Sequence, residues 1–325
     1  DKTVVTNDGF GNSDLRATYG YMAVITDNKT ENMTGLFGGY VLKTLESTTN
    51  AILDSATAPD ANFGTKLTGS GDFEFRAHDN SITLLNAAND YSGQTTVTSG
   101  TLNMGANDVF GHTSALNIRE TATVNMNGFR QNIGELNGET GSTLDLGGGD
   151  LTIAAGGKSN GDLSGSGYLH LSGGTLTVAN ANEKLDAVID LQSGATARLQ
   201  SVKGLGNGNI NLSGDLQLSG AQGTMENRLE GTGIVSLTNG SNVGFLADNA
   251  DFSGSIHIGS GTTLSATSDS QLGTATVTNE GNLVLHSDDD WKFDNVMNGS
   301  GKLVKEGEGI VRISSEYAHE GGTEI

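Results

Sequence analysis

From about residue 64 onward, apolar and polar residues alternate in runs too short for anything but a strand. Leu144-Asp145-Leu146, Leu151-Thr152-Ile153, Leu176-Thr177-Val178, Ile210-Asn211-Leu212 and Leu216-Gln217-Leu218 each put apolar side chains on one face and polar ones on the other. Gly, Asn, Asp and Ser fill the gaps, residues that tolerate the tight or left-handed conformations of a corner. Leu151, Leu169, Ile189, Ile210, Ile234 and Ile256 make one plausible strand series, separated by 18, 20, 21, 24 and 22 residues. A spacing near 21 suits one coil of three short strands and three turns. At about 4.8 Å between stacked strands, some fifteen coils would form a rod roughly 70 Å long.

Two phrases also return in order. Gly69-Ser70-Gly71, Gly165-Ser166-Gly167, Gly231-Thr232-Gly233 and Gly299-Ser300-Gly301 each feed a short strand. Three of the four are followed, 20 to 22 residues after the last Gly, by Tyr91-Ser92-Gly93, Phe252-Ser253-Gly254 or Glu320-Gly321-Gly322. Self-similarity at such spacings marks a solenoid, so the expected class is all-β, a parallel β-helix. An antiparallel sandwich also uses Asn-Gly and Gly-Gly turns, but it does not explain the ordered return of both phrases. The first sixty residues read differently. Tyr40-Val41-Leu42-Lys43-Thr44-Leu45-Glu46 and Ala51-Ile52-Leu53 lie in a less Gly-rich stretch closed by Pro59, expected to form irregular coils or a short helix.

Composition narrows the function classes. Gly is 49 of 325 residues, and apolar content is only 34%, which suffices where each strand buries one face. The absence of Cys excludes disulfides, thiolate zinc sites and thiol catalysis. No basic-apolar leader and no run of about 18 apolar residues occurs, so the chain reads as a mature or excised soluble segment. Seventeen basic residues face 38 acidic ones, for a net charge of −21. That balance opposes binding to nucleic acid and to anionic lipid. Low apolar content with high charge can also signal disorder, against which the regular alternation argues.

The run Asn86-Ala87-Ala88-Asn89-Asp90-Tyr91-Ser92-Gly93-Gln94-Thr95-Thr96-Val97, with Gly100-Thr101-Leu102 and Phe110-Gly111, resembles the passenger-associated transport repeat of bacterial autotransporters. A second version runs through Asn249-Ala250-Asp251-Phe252-Ser253-Gly254, Gly261-Thr262-Thr263-Leu264 and Leu272-Gly273. A third begins at Gly299-Ser300-Gly301-Lys302-Leu303 and stops at Ile325, where the pattern would continue into another Gly-Thr-Leu. The resemblance covers roughly residues 64–325. It implies a secreted passenger of the adhesin-type (AIDA-like) autotransporters, a right-handed, pectin-lyase-like parallel β-helix. Such a passenger crosses the outer membrane by type V secretion through its own C-terminal barrel, which this chain lacks. The implied division is an N-terminal cap or less regular coils at 1–63, a β-helix body at 64–298, and the start of a truncated autochaperone-like repeat at 299–325. Freedom from Cys fits passage through a narrow pore, which a disulfide-closed loop would obstruct.

Catalytic and metal chemistry finds few candidates. No Gly-Xaa-Ser-Xaa-Gly or Gly-Asp-Ser-Gly presents a nucleophile. His78, His112, His170, His257, His286 and His319 are scattered singly; His78, His170, His257 and His286 follow or sit in strand-like stretches, where outward positions are expected. Asp288-Asp289-Asp290, just before Trp291, is the best acidic cluster. It reads first as a solvated loop and more weakly as a calcium site or a polysaccharide-cleaving carboxylate set. Gly147-Gly148-Gly149-Asp150 is an isolated look-alike of calcium-binding repeats. Gly204-Leu205-Gly206-Asn207-Gly208 lacks the Lys and helix of a phosphate loop. Asn28-Lys29-Thr30 and Asn239-Gly240-Ser241 match glycosylation acceptors, accidental in the implied bacterial source.

The expected function is that of a non-enzymatic cell-surface adhesin, anchored at the outer membrane or released, with no cofactor and with binding spread along the rod. Its expected partners are identical passengers on neighbouring cells, giving aggregation and biofilm, or a host matrix protein or glycan. A glycan-processing enzyme on the same fold is the rival, as is a stalk presenting an N-terminal recognition region. Anionic glycosaminoglycans would be repelled unless the basic residues gather on one face.

Overall fold

The computed structural model describes residues 4–7, 15–28, 33–56, 60–313 and 317–325. Pro59 and most of the Asn28-Lys29-Thr30 triplet lie outside them. The chain forms a parallel β-helix of about 14 turns. Every pairing among strands that follow Asn50 is parallel, which rules out the sandwich. Among the described residues the sole helical element is a one-turn 3-10 helix, Asp269–Leu272.

One ladder threads the whole stack. It begins with Ala51 opposite Phe73, passes through Leu116 opposite Leu136, and continues through Leu216, Val235, Ile256 and Val277 to Met297. These inward side chains are buried and belong to one continuous core. Their outward neighbours are polar, because successive strand residues point to opposite faces.

The paired phrases turn out to be one corner on successive coils. Gly233 precedes Gly254 by one coil, and a Cβ built on Gly254 would lie 1.9 Å from the Gly233 carbonyl oxygen. The same superposition places Gly93 on Gly71 and Gly321 on Gly301. Each opening Gly, such as Gly231 at φ +105°, adopts a conformation that L side chains rarely take. The repeat therefore records where the backbone of one coil rests on the last.

In two of the three second phrases, an Asn just ahead of the aromatic clamps three coils together. Asn249 Oδ1 accepts the Leu229 N–H at 2.8 Å, and its Nδ2 donates to the Gln271 carbonyl at 2.7 Å. Asn89 does the same between Leu67 N–H and Val109 carbonyl. Both amides are buried, where an unpaired backbone group would be costly. The aromatic two or three residues on fills the core: Tyr91 meets Phe73 edge-to-face at 4.8 Å, and its hydroxyl pairs with Thr95 at 2.6 Å. Burial pushes the Tyr91 phenol well above its ordinary pKa.

Two readings need correction. The strand series holds from Leu151 through Leu169 and Ile189 to Ile210. The next partner of Ile210 is Leu229, not Ile234. Ile234 is an exposed position opposite Asp215 and Ser255, while Val235 faces inward opposite Ile256. The Gly231-Thr232-Gly233 corner separates two strands of one coil, so a 24-residue step crossed from one ladder to another. Among the described residues of the N-terminal stretch there is no short helix. Leu15–Asn28 and Met33–Ser47 pair as a long antiparallel hairpin whose end runs parallel to Lys66–Thr68. Ala51-Ile52-Leu53 lies in strand Asn50–Asp54, between the antiparallel Val4–Asn7 and the parallel Asp72–Leu84. Leu45, Ala51 and Leu53 thus already belong to the core.

Candidate binding faces

Stacking in register turns each outward strand position into a column. From the third coil of the long ladder onward, its outward column carries Thr96, Asn117, Asn137, then Lys158, Thr177 and Arg198. It continues through Gln217, Ser236 and His257 to Thr278 and Asn298. From Thr96 to Asn298 it carries no carboxylate, on a chain of net charge −21; one coil before Thr96 the same column holds Glu74. The column two residues earlier carries Ala115, Glu135, Gly156, Thr175, Thr196, Asp215, Ile234, Ser255 and Thr276, with Glu135 and Asp215 its acids over that span. Amides link neighbouring coils here: Asn137 Nδ2 donates to Asn117 Oδ1 at 3.1 Å, and Arg198 Nε to Gln217 Oε1 at 3.0 Å. A shallow cleft of about 240 Å³ opens beside Asn117, Asn137, Lys158 and the Arg119–Glu139 ion pair. The eleven-residue column spans roughly 48 Å, at about 4.8 Å per step.

The ladder that carries Leu151 and Leu169 is different. Its outward side brings Asp150, Tyr168, His170 and Asp190 together. His170 Nε2 lies 3.2 Å from Asp150 Oδ1 on the preceding coil, and Nδ1 lies 3.1 Å from Asp190 Oδ2 on the next. The Tyr168 ring is parallel to His170, with centroids 6.0 Å apart and 6° between planes. Sequence reading passed over this group although its signal was available. Asp150, His170 and Asp190 are 20 residues apart in each step, one coil each time.

The other histidines are all unburied. His78 contacts Asp54 at 2.9 Å on the previous coil. Partial burial pushes the Asp54 carboxyl up, but the Ala56 N–H and His78 outweigh it and hold the group below the usual range. His286 lies 3.6 Å from Asp288 and 3.5 Å from Glu306. His257 stands on the acid-poor column.

The structure does not gather Asp288, Asp289 and Asp290 into one site. Asp290 Oδ1 accepts the Ile310 N–H at 2.9 Å, Asp288 turns to His286, and the Asp289 carbonyl accepts the Ser287 hydroxyl. Among the described residues, no three acidic or histidine side chains are arranged to hold a metal. Gly147 to Asp150 forms a corner leading to the His170 group. Gly204 to Gly208 turns over Leu185 and Ala187, with Leu205 in the core.

Two curated relatives come from Escherichia coli strain K12. The uncharacterized lipoprotein YdeK is 35% identical over 297 residues, covering 90% of this chain and 22% of the relative. The uncharacterized protein YuaQ is 36% identical over 298 residues, again 90% and 22%. The chain thus spans about a fifth of the length of the curated relatives it matches. No family model and no solved structure matches it.

Proposed function

We propose that this chain is part of a bacterial envelope-associated adhesin, an autotransporter-type passenger that binds without catalysis through the acid-poor face of its β-helix. The single observation behind this reading is the carboxylate-free column from Thr96 to Asn298 on a chain otherwise rich in acid. Five residues of strand across, at about 3.3 Å each, by roughly 48 Å along gives some 800 Å² of surface, in which Glu135, Glu139, Asp215 and Glu280 flank the carboxylate-free column. That matches the share each partner contributes to a standard-sized protein interface, about 800 Å². Hydroxyls, amides and two exposed cations offer many weak contacts there, which sum to avidity when many copies sit on one cell. The name lipoprotein carried by one relative, and the residues resembling transport repeats, support the envelope setting.

Its partner is an identical rod on a neighbouring cell, or a host matrix protein or glycan. Self-pairing must overcome like-charge repulsion, so it strengthens as salt shortens the screening length. Bacteria displaying the chain should aggregate more readily as ionic strength rises from about 10 to 150 mM. Aggregation that falls steadily over that range would refute self-pairing.

A further inference from the structure

The second face carries a different chemistry. Between residues 50 and 313, Tyr168 is the one exposed aromatic ring among the described side chains, 52% accessible. Phe73, Phe75, Tyr91, Phe110, Phe252 and Phe293 are all buried. It stands open to solvent, as Tyr19 and Tyr40 do in the N-terminal hairpin, and so is available to a ligand.

The ring is also held in place. His170 lies parallel to it along the strand, and His170 is itself bracketed by Asp150 and Asp190 from the coils on either side. Gln192 Nε2 donates to the same Asp190 oxygen, Oδ2, at 3.0 Å, which leaves Oδ1 with its lone pairs. The result is a preorganised aromatic surface with exposed hydrogen-bond acceptors at its rim, on an open face instead of in a pocket.

We propose that Tyr168, with His170, Asp150 and Asp190, forms a platform for an uncharged, hydroxyl-rich saccharide chain. The flat C–H face of a pyranose carries partial positive charge and complements the negative face of the tyrosine ring. Its hydroxyl groups can donate to Asp190 Oδ1 and to Asp150, both partly exposed. Asp150 and Asp190 together repel an anionic polymer. An open platform suits a chain lying across it, and rigidity limits the entropy lost on binding. This inference rests on the adhesive reading for its setting, and adds to it a partner class and a second face.

The test is titration of the folded chain with cellohexaose and maltohexaose, with oligogalacturonate and a chitosan hexamer as charged controls. Tyrosine ring resonances and affinity electrophoresis report binding. A neutral oligosaccharide should bind with a dissociation constant on the order of 1 mM and shift the Tyr168 signals. Tyr168→Ala should weaken it at least about tenfold, as loss of a central aromatic anchor does. Tyr168→Phe should retain it, and the thermal melts of both variants should match the parent. The proposal is overturned if neither neutral oligosaccharide shifts the Tyr168 signals, if only the cationic hexamer binds, or if Tyr168→Ala binds as the parent does. Lys158→Glu with Arg198→Glu, on the other face, separates the two readings. That pair should abolish cell aggregation and leave saccharide binding intact. Intact aggregation with no saccharide binding would sink this inference alone.

Discussion

Replacing Asn249 by Ala tests the clamp that joins successive coils. The substitution leaves the Leu229 N–H and the Gln271 carbonyl without partners in a site where Asn249 is 1% exposed. Each unpaired buried backbone group costs about 1–3 kcal/mol, so the pair amounts to about 2–6 kcal/mol before any cavity is counted. Asn249→Asp keeps the acceptor for Leu229 but sets a carboxylate oxygen against the Gln271 carbonyl. Its stability should therefore recover in part as acidification protonates the new carboxyl into a donor. Asn180→Ala removes only a surface bond to Asp162 at 3.2 Å and should cost under about 0.5 kcal/mol. Because solenoid coils unfold in part independently, hydrogen exchange at the Leu229 amide is the local readout, beside urea unfolding followed by circular dichroism. Exchange and midpoint in Asn249→Ala indistinguishable from those of Asn180→Ala would refute the reasoning.

Other outcomes follow from the same contacts. Gly254→Ala forces a Cβ to 1.9 Å from the Gly233 carbonyl and should destabilise by about 2 kcal/mol or more, measured by urea midpoint. Val235→Ala should cost about 2 kcal/mol for two buried methyl groups, while Ile234→Thr, one residue away but facing solvent, should stay within about 0.5 kcal/mol; the reverse order would contradict the register. Lys66, with Thr68, holds Asp90 below the usual carboxylate range, and Arg119 with the Glu120 N–H does so for Glu139. Folded values below the unfolded ones stabilise above a pH of about 4, and that contribution is lost as the pH falls through the folded values. Lys66→Gln should therefore flatten part of the acid limb of a stability-versus-pH curve, by under about 1 kcal/mol for so exposed a pair.

The coil period was legible because backbone contact imposes it: Gly over Gly at a corner tolerates no side chain, so Gly71, Gly93, Gly233 and Gly254 spell it out. The same period predicts side-chain contacts that strand reading does not, such as the Arg119–Glu139 ion pair and the approach of His286 to Glu306, each 20 residues apart. What alternation could not give was which of a coil's strands follows which. Ile234 and Val235 look equivalent in a three-residue window, and only the Gly231–Gly233 corner decides which one faces inward. The N-terminal hairpin was obscured for a different reason: its long strands pair antiparallel with each other over most of their length, and only Thr44 to Glu46 pairs with a coil, so they carry no period. The acid-poor column was equally hidden. It exists only once Lys158, Thr177 and Arg198 are superposed, and net charge averages it away.

The most direct measurement of the central claim is aggregation of bacteria displaying the chain, compared between two double variants at matched surface expression. Lys158→Glu with Arg198→Glu places two carboxylates on the acid-poor column, whereas Asn211→Glu with Thr152→Glu places two on the face already rich in acid. The account predicts that the first variant disperses the cells and the second aggregates like the parent. Equal aggregation by both, or dispersal by the second alone, would contradict it.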